Sequence, residues 1–172
     1  FATDYKPVVD FAKDNKMLYF AANVPRKYAS LVFKKGTEAL DSLTANEKEL
    51  LCPLPFPFDS TLSQYKELIK MGLEMHASGI NFAKAQAIKD ATMAWNICER
   101  LKTYSTILHF NGSYHSDFHQ GIEWYIHQYN SSASVATIST VTQSQLNTLN
   151  EEFLGKADFI IVVDERMTKT LE

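Results

Sequence analysis

The chain has 172 residues, 45% hydrophobic and 22% charged, with a formal net charge of −3, which is the length and composition of one soluble domain with a substantial core. Mild acidity without a Lys/Arg block excludes nucleic acid as a main partner, because phosphate binding needs a basic footprint. No apolar run approaches the roughly 18 residues of a membrane span.

Residues 4–15 read as a helix, with Asp4 as the cap, Pro7 in the first turn and Val8, Phe11 and Ala12 as the buried stripe. Met17–Ala22 is a continuous apolar run, the pattern of a strand buried on both faces. It ends at Asn23-Val24-Pro25-Arg26, where Pro25 stops sheet pairing and suits the start of a second helix over residues 26–35, closed by Gly36. Asn23 and Arg26 thus leave the carboxyl end of a predicted central strand, where α/β sheets bind ligands. Arg26 also reads as an ordinary solvated residue of a first helical turn.

Residues 37–59 are irregular. Three prolines within Pro53–Pro57 forbid helix and inner strand, and the aromatic and apolar residues among them predict a segment that packs down as a crossover loop or pocket wall. Residues 60–76 are amphipathic, with Leu62, Tyr65, Leu68, Ile69, Leu73 and His76 at threes and fours, and Gly79 breaks the pattern. A longer helix over residues 81–102 carries the small-residue stripe Ala83, Ala87, Ala91, Ala94, Ile97 or Cys98, and Leu101. Gln86 and Asp90 share a face near that stripe. A carboxylate so placed needs a partner, either a helix-to-loop hydrogen bond or solvent at the boundary. Cys52 and Cys98 have neither CxxC spacing nor a nearby His, so they make no metal site and read as free apolar residues.

A third predicted strand, residues 106–110, breaks at Asn111-Gly112 and releases Ser113, Tyr114, His115, Ser116 and Asp117 before a helical pattern to Tyr129. Gly112 is read as the residue that lets the chain turn, and His109 as a satisfied core histidine. His115 is the candidate metal ligand, general base or haem ligand. His115 and His119 are four apart but lack the Glu of a zinc-protease helix, so they read as loop histidines rather than co-ligands. Ser113 lacks the Gly-x-Ser-x-Gly context of a nucleophile elbow. Further strands are predicted at residues 135–141 and 159–163, with a short helix at 143–150. The alternation of helices with apolar strands predicts an α/β domain of three layers, a mostly parallel central sheet flanked by helices.

Three blocks in this order, Ala21–Ser30 (AANVPRKYAS), Ala85–Ala94 (AQAIKDATMA) and His109–Asp117 (HFNGSYHSD) followed by Gly121-Ile122, resemble the ChaN-like haem-binding uptake proteins, relatives of the Tiki proteases and erythromycin esterases. The wider group is built around two Gly-x-x-His motifs, and Gly112-Ser113-Tyr114-His115 matches the second. The first, Gly-Glu-x-His after an early strand, is absent. Together with a start at Phe1 rather than Met, this predicts a single ChaN-like domain over residues 1–172 that lacks its N-terminal strand–helix segment.

The resemblance implies a haem-binding uptake protein in which His115 or Tyr114 contacts iron. Asn23, Arg26, Gln86 and Asp90 would then be supporting or propionate-binding groups. It further implies a bacterial envelope location, through an N-terminal lipid anchor outside this chain, and a homodimer. The alternatives are a divalent-metal hydrolase with His115 as metal ligand or base, and a fold relative with neither activity.

Overall fold

A computed structural model describes residues 5–167 of the chain. Its centre is one long helix, Gly79–Leu101 (α5), which is capped by the Ser78 side chain accepting from the Asn81 amide. Four helices precede it: Lys6–Asp14 (α1), Arg26–Lys35 (α2), Ala45–Lys48 (α3) and Ser63–Glu74 (α4). One more, Ile122–Tyr129 (α6), follows. The alanine stripe does what its spacing predicts. Ala83, Ala87, Ala91, Ala94 and Cys98 are buried against Tyr65 and Leu68 of α4 and Ile122, Tyr125 and Ile126 of α6. Ala85 and Ile88, on the opposite side of α5, pack on Tyr28, Ala29 and Val32 of α2 together with Leu40 and Leu51. Side chains this small let neighbouring helices approach closely; a Cβ on Gly79 would stand 2.3 Å from the Ile69 carbonyl of α4.

The proline-rich crossover packs down, as its composition predicts. Cys52 is buried, and Leu54, Phe56 and Phe58 lie against the two core clusters. Both cysteines are free and buried. Asp4, the predicted cap of the first helix, falls outside the described residues.

The sheet is smaller than predicted. Among the described residues it has two parallel strands, Ile138–Gln143 (β1) and Phe159–Asp164 (β2), with Ile138 opposite Phe159 and Gln143 opposite Asp164. These correspond to two of the four predicted strands. The fold is therefore α/β, but the three-layer arrangement is not seen.

The other two predicted strands, residues 17–22 and 106–110, are not paired into a sheet. Among the described residues, neither 18–24 nor 105–111 makes a backbone–backbone hydrogen bond. A strand is a paired object, so apolar β-rich sequence alone does not produce one. The alternation of a sheet face nevertheless survives. Ile107, Ala133 and Val135 pack on the core, while Leu108, Phe110 and Ile138 are exposed. A cavity of about 970 Å³ lies between residues 105–111 and 133–140, floored by Ile97, Ile122 and Ile126.

Two further expectations are corrected. Residues 144–150 form turns, and a single 3₁₀ turn follows at Glu151–Phe153. The helix expected over residues 117–129 begins instead with a 3₁₀ turn, Asp117–His119, which follows another at Ser113–His115, and α6 starts only at Ile122. The left-handed backbone of Phe118 and His119 interrupts any continuous helix there.

Candidate functional site

The side chain of His115 meets the middle of α5. Asp90, on the fourth turn of that helix, has no solvent exposure. One of its carboxylate oxygens, Oδ1, hydrogen-bonds to His115 Nδ1. The other, Oδ2, accepts from the Tyr65 hydroxyl of α4 at 2.8 Å. Tyr65 is itself 1% exposed and stacks on Phe58, with ring centroids 5.4 Å apart. The Gln86 amide nitrogen lies 3.0 Å from His115 Nδ1, and Gln86 Oε1 accepts from Lys89 at 3.3 Å. A partly buried histidine is thus held by a buried carboxylate, which a buried tyrosine holds in turn.

Burial pushes the Asp90 carboxyl up from its ordinary value, while the bonds from His115 and Tyr65 pull it back. Tyr65 is pushed strongly up, first by burial and then by the Asp90 charge, so its hydroxyl stays protonated and donates.

The turn carrying His115 is fixed from several sides. The His115 amide donates to the Gly112 carbonyl at 2.9 Å, and Asn111 Nδ2 donates to Ser116 Oγ at 2.9 Å. Asp117 is buried and pairs with Lys156 at 3.0 Å. It also accepts from Ser139 of β1 at 3.2 Å. Gln64 of α4 donates to the Asp117 carbonyl at 2.8 Å.

Gly121 allows the closest approach. Its φ of +56° is a left-handed value, and a Cβ there would stand 2.4 Å from the His115 carbonyl and 3.4 Å from Asp90 Oδ2. The turning role expected of Gly112 therefore falls to Gly121. Gly112 itself has φ −72° and open space around it.

The structure brings Gln86, Asp90 and His115 together. It does not join the other predicted site residues to them. Asn23 and Arg26 are exposed, and their side chains enter no hydrogen bond or ion pair among the described residues. Tyr114 is 48% exposed at the turn. His109 is not the satisfied core histidine expected, since its Nε2 is buried without a hydrogen-bond partner. His119 turns to Glu123, 3.0 Å away, rather than to His115.

Among the described residues no group of three or more His, Cys, Asp or Glu side chains could hold a metal ion. None of their helices is long and apolar enough to cross a membrane. Tyr65 is the member of the site that sequence reasoning missed. It was legible only as one apolar position of an amphipathic stripe, and nothing in that pattern says its hydroxyl meets Asp90.

The fold thus presents a partly buried histidine from a turn and braces it with a buried carboxylate and a buried tyrosine. The model of the family described as haem-binding uptake, Tiki superfamily, ChaN matches residues 1–126, and the chain belongs to that family. No curated protein and no solved structure matches it.

Proposed function

We propose that the protein binds haem as an uptake or carrier protein, with His115 as the residue that contacts iron. The observation that carries the reading is the Asp90–His115 pair in a chain of a haem-binding family. A carboxylate bonded to one ring nitrogen orients an imidazole ligand and raises its basicity at the other. The surroundings suit a flat, largely apolar ligand. Phe110, Tyr114 and Phe118, close to His115 in sequence, are exposed aromatic side chains that would be available to such a ligand.

Haem, when bound, would supply an iron that takes imidazole or phenolate as a ligand. The chain's own residues do the rest. His115 offers Nε2, Tyr114 offers a solvent-facing phenol, and Asp90 and Gln86 hold the imidazole ring. Arg26 and Asn23, exposed at the start of α2, are the proposed partners of the propionates. On this reading the protein works in the bacterial cell envelope, attached through a lipid anchor outside these residues, and as a homodimer. The divalent-metal hydrolase alternative has no observation here to support it, because the described residues hold no metal-ligand cluster.

Titrating haem into the protein should produce a Soret band that saturates and is lost in His115→Ala. Absence of any spectral change at micromolar haem would sink the reading. Arg26→Ala should weaken binding several-fold without moving the band.

A further inference from the structure

We infer that Asp90 and Tyr65 act together as positioning residues that hold His115 in the Nδ1–H tautomer, so that Nε2 is the nitrogen it presents. The inference rests on the haem reading only for its consequence, since the tautomer itself is a property of the protein without ligand.

Tyr65 is a hydroxyl in a dry site, and its oxygen lies 2.8 Å from Asp90 Oδ2. With the shared proton on His115 rather than on the carboxyl, Asp90 accepts at both oxygens, so Tyr65 donates to it. That bond occupies Oδ2 and leaves Oδ1 facing His115 Nδ1, again as an acceptor. Nδ1 must therefore carry the proton, and in the neutral ring Nε2 is left with a lone pair. Gln86 Nε2 lies 3.0 Å from Nδ1 and 3.5 Å from Nε2; a protonated Nδ1 cannot accept from it, so Nε2 is the ring nitrogen to which the amide can donate, by the longer contact, until a ligand takes that lone pair. The contact with Asp90 is charge-assisted, which makes it the stronger of the two. The arrangement is also rigid. Tyr65 is clamped by Phe58, Asp90 is fixed on α5, and the His115 carbonyl lies against Gly121, where no side chain fits.

Tyr65 matters because it makes the carboxylate site directional. In Asp90→Asn the amide has one acceptor and one donor end. Tyr65, which can satisfy its hydroxyl proton only by donating, takes the amide oxygen. The amide nitrogen then faces His115, and Nδ1 has to accept. The ring switches to the Nε2–H tautomer, and the lone pair is no longer available to a ligand. Adding Tyr65→Phe removes that constraint. The amide can then turn its oxygen to His115 and restore Nδ1–H. A tyrosine that merely fills space would give no such rescue.

The test is ¹⁵N NMR of the histidine rings at a pH where His115 is neutral, with its signals assigned by comparison with His115→Gln. Wild type should show a protonated Nδ1 and an unprotonated Nε2. Asp90→Asn should show the reverse, and Tyr65→Phe/Asp90→Asn should return to the wild-type pattern. Haem titration in parallel should show at least a tenfold loss of affinity in Asp90→Asn and its recovery in the double variant. An Nε2–H tautomer in the wild-type protein overturns the inference without needing any variant, so misfolding of a variant cannot shield it. An unchanged tautomer in a folded Asp90→Asn, or no rescue in a folded double variant, overturns the part assigned to Tyr65. If wild type shows Nδ1–H but binds no haem, the haem reading fails while the tautomer assignment stands.

Discussion

The helical half of the molecule and its extended half satisfy their backbones in different ways. Helices α2, α4, α5 and α6 close their hydrogen bonds internally and need only bury a stripe, which the alanines of α5 allow them to do around one axis. Residues 105–111 and 133–143 are also apolar and also alternate in burial. A strand, however, closes its hydrogen bonds only with a neighbour, and only β1 and β2 have found one. Secondary structure that is self-contained can be complete in a segment where secondary structure that is shared is not. The candidate site stands on the seam between the two. His115 comes from the extended half, while Asp90, Gln86 and Tyr65 come from the helical half.

Amide hydrogen exchange gives the sharpest contrast. Amides in the middle of α5 should exchange orders of magnitude more slowly than those of residues 105–110, because the former open only on global unfolding and the latter have no bond to break. Comparable rates in the two segments would remove the distinction. Truncation should divide the halves in the same way. Ile88 has 0% exposure, and Ile88→Ala should cost about 2–5 kcal/mol in denaturant unfolding. Leu108 is 74% exposed, and Leu108→Ala should stay within about 0.5 kcal/mol.

At the seam, Gly121→Ala puts a Cβ 2.4 Å from the His115 carbonyl at a positive φ. It should cost about 1–3 kcal/mol from the backbone conformation alone, and should shift the His115 ring resonances with it. Unchanged resonances would show that Gly121 does not set the position of the turn.

The smallest effect is one of pH. Burial, and secondarily the charge of His115, hold His109 below the ordinary histidine value of 6.5. The unfolded chain takes up that proton near 6.5 and the folded chain only at lower pH. Between the two values the unfolded state binds more protons, so stability rises with pH there. The contribution is present above about 6.5 and is lost as pH falls through the folded value. Urea midpoints at pH 7 and pH 5 should therefore differ less in His109→Phe than in wild type.

What the sequence made legible follows the same division. The helix over residues 26–35 and the inward stripe of α5 follow from periodicity, because a helix is dictated by its own residues. The strands at residues 17–22 and 106–110 did not appear, because their partners are not a local property. Within the site, the need of Asp90 for a partner could be read from a carboxylate beside an apolar stripe, and His115 from its place after an apolar run. Tyr65 could not, since its hydroxyl finds Asp90 only through the crossing of α4 on α5. Gly121 was visible as a glycine, but its reason, the His115 carbonyl pressed against it, exists only in three dimensions.

The unpaired extended segments also bear on how the protein behaves in concentrated solution. Natural sheets guard open edges with lysines, prolines or inward charges that discourage another strand from adding. From Asn130 to Asn150 this chain has no charged residue, and from Thr103 to Tyr114 its only ionisable groups are His109 and the tyrosines. Nothing on these edges repels a second chain. Self-association that grows with concentration, and that a lysine at Leu108 or Ile138 suppresses, is the expected signature of edges without gatekeepers.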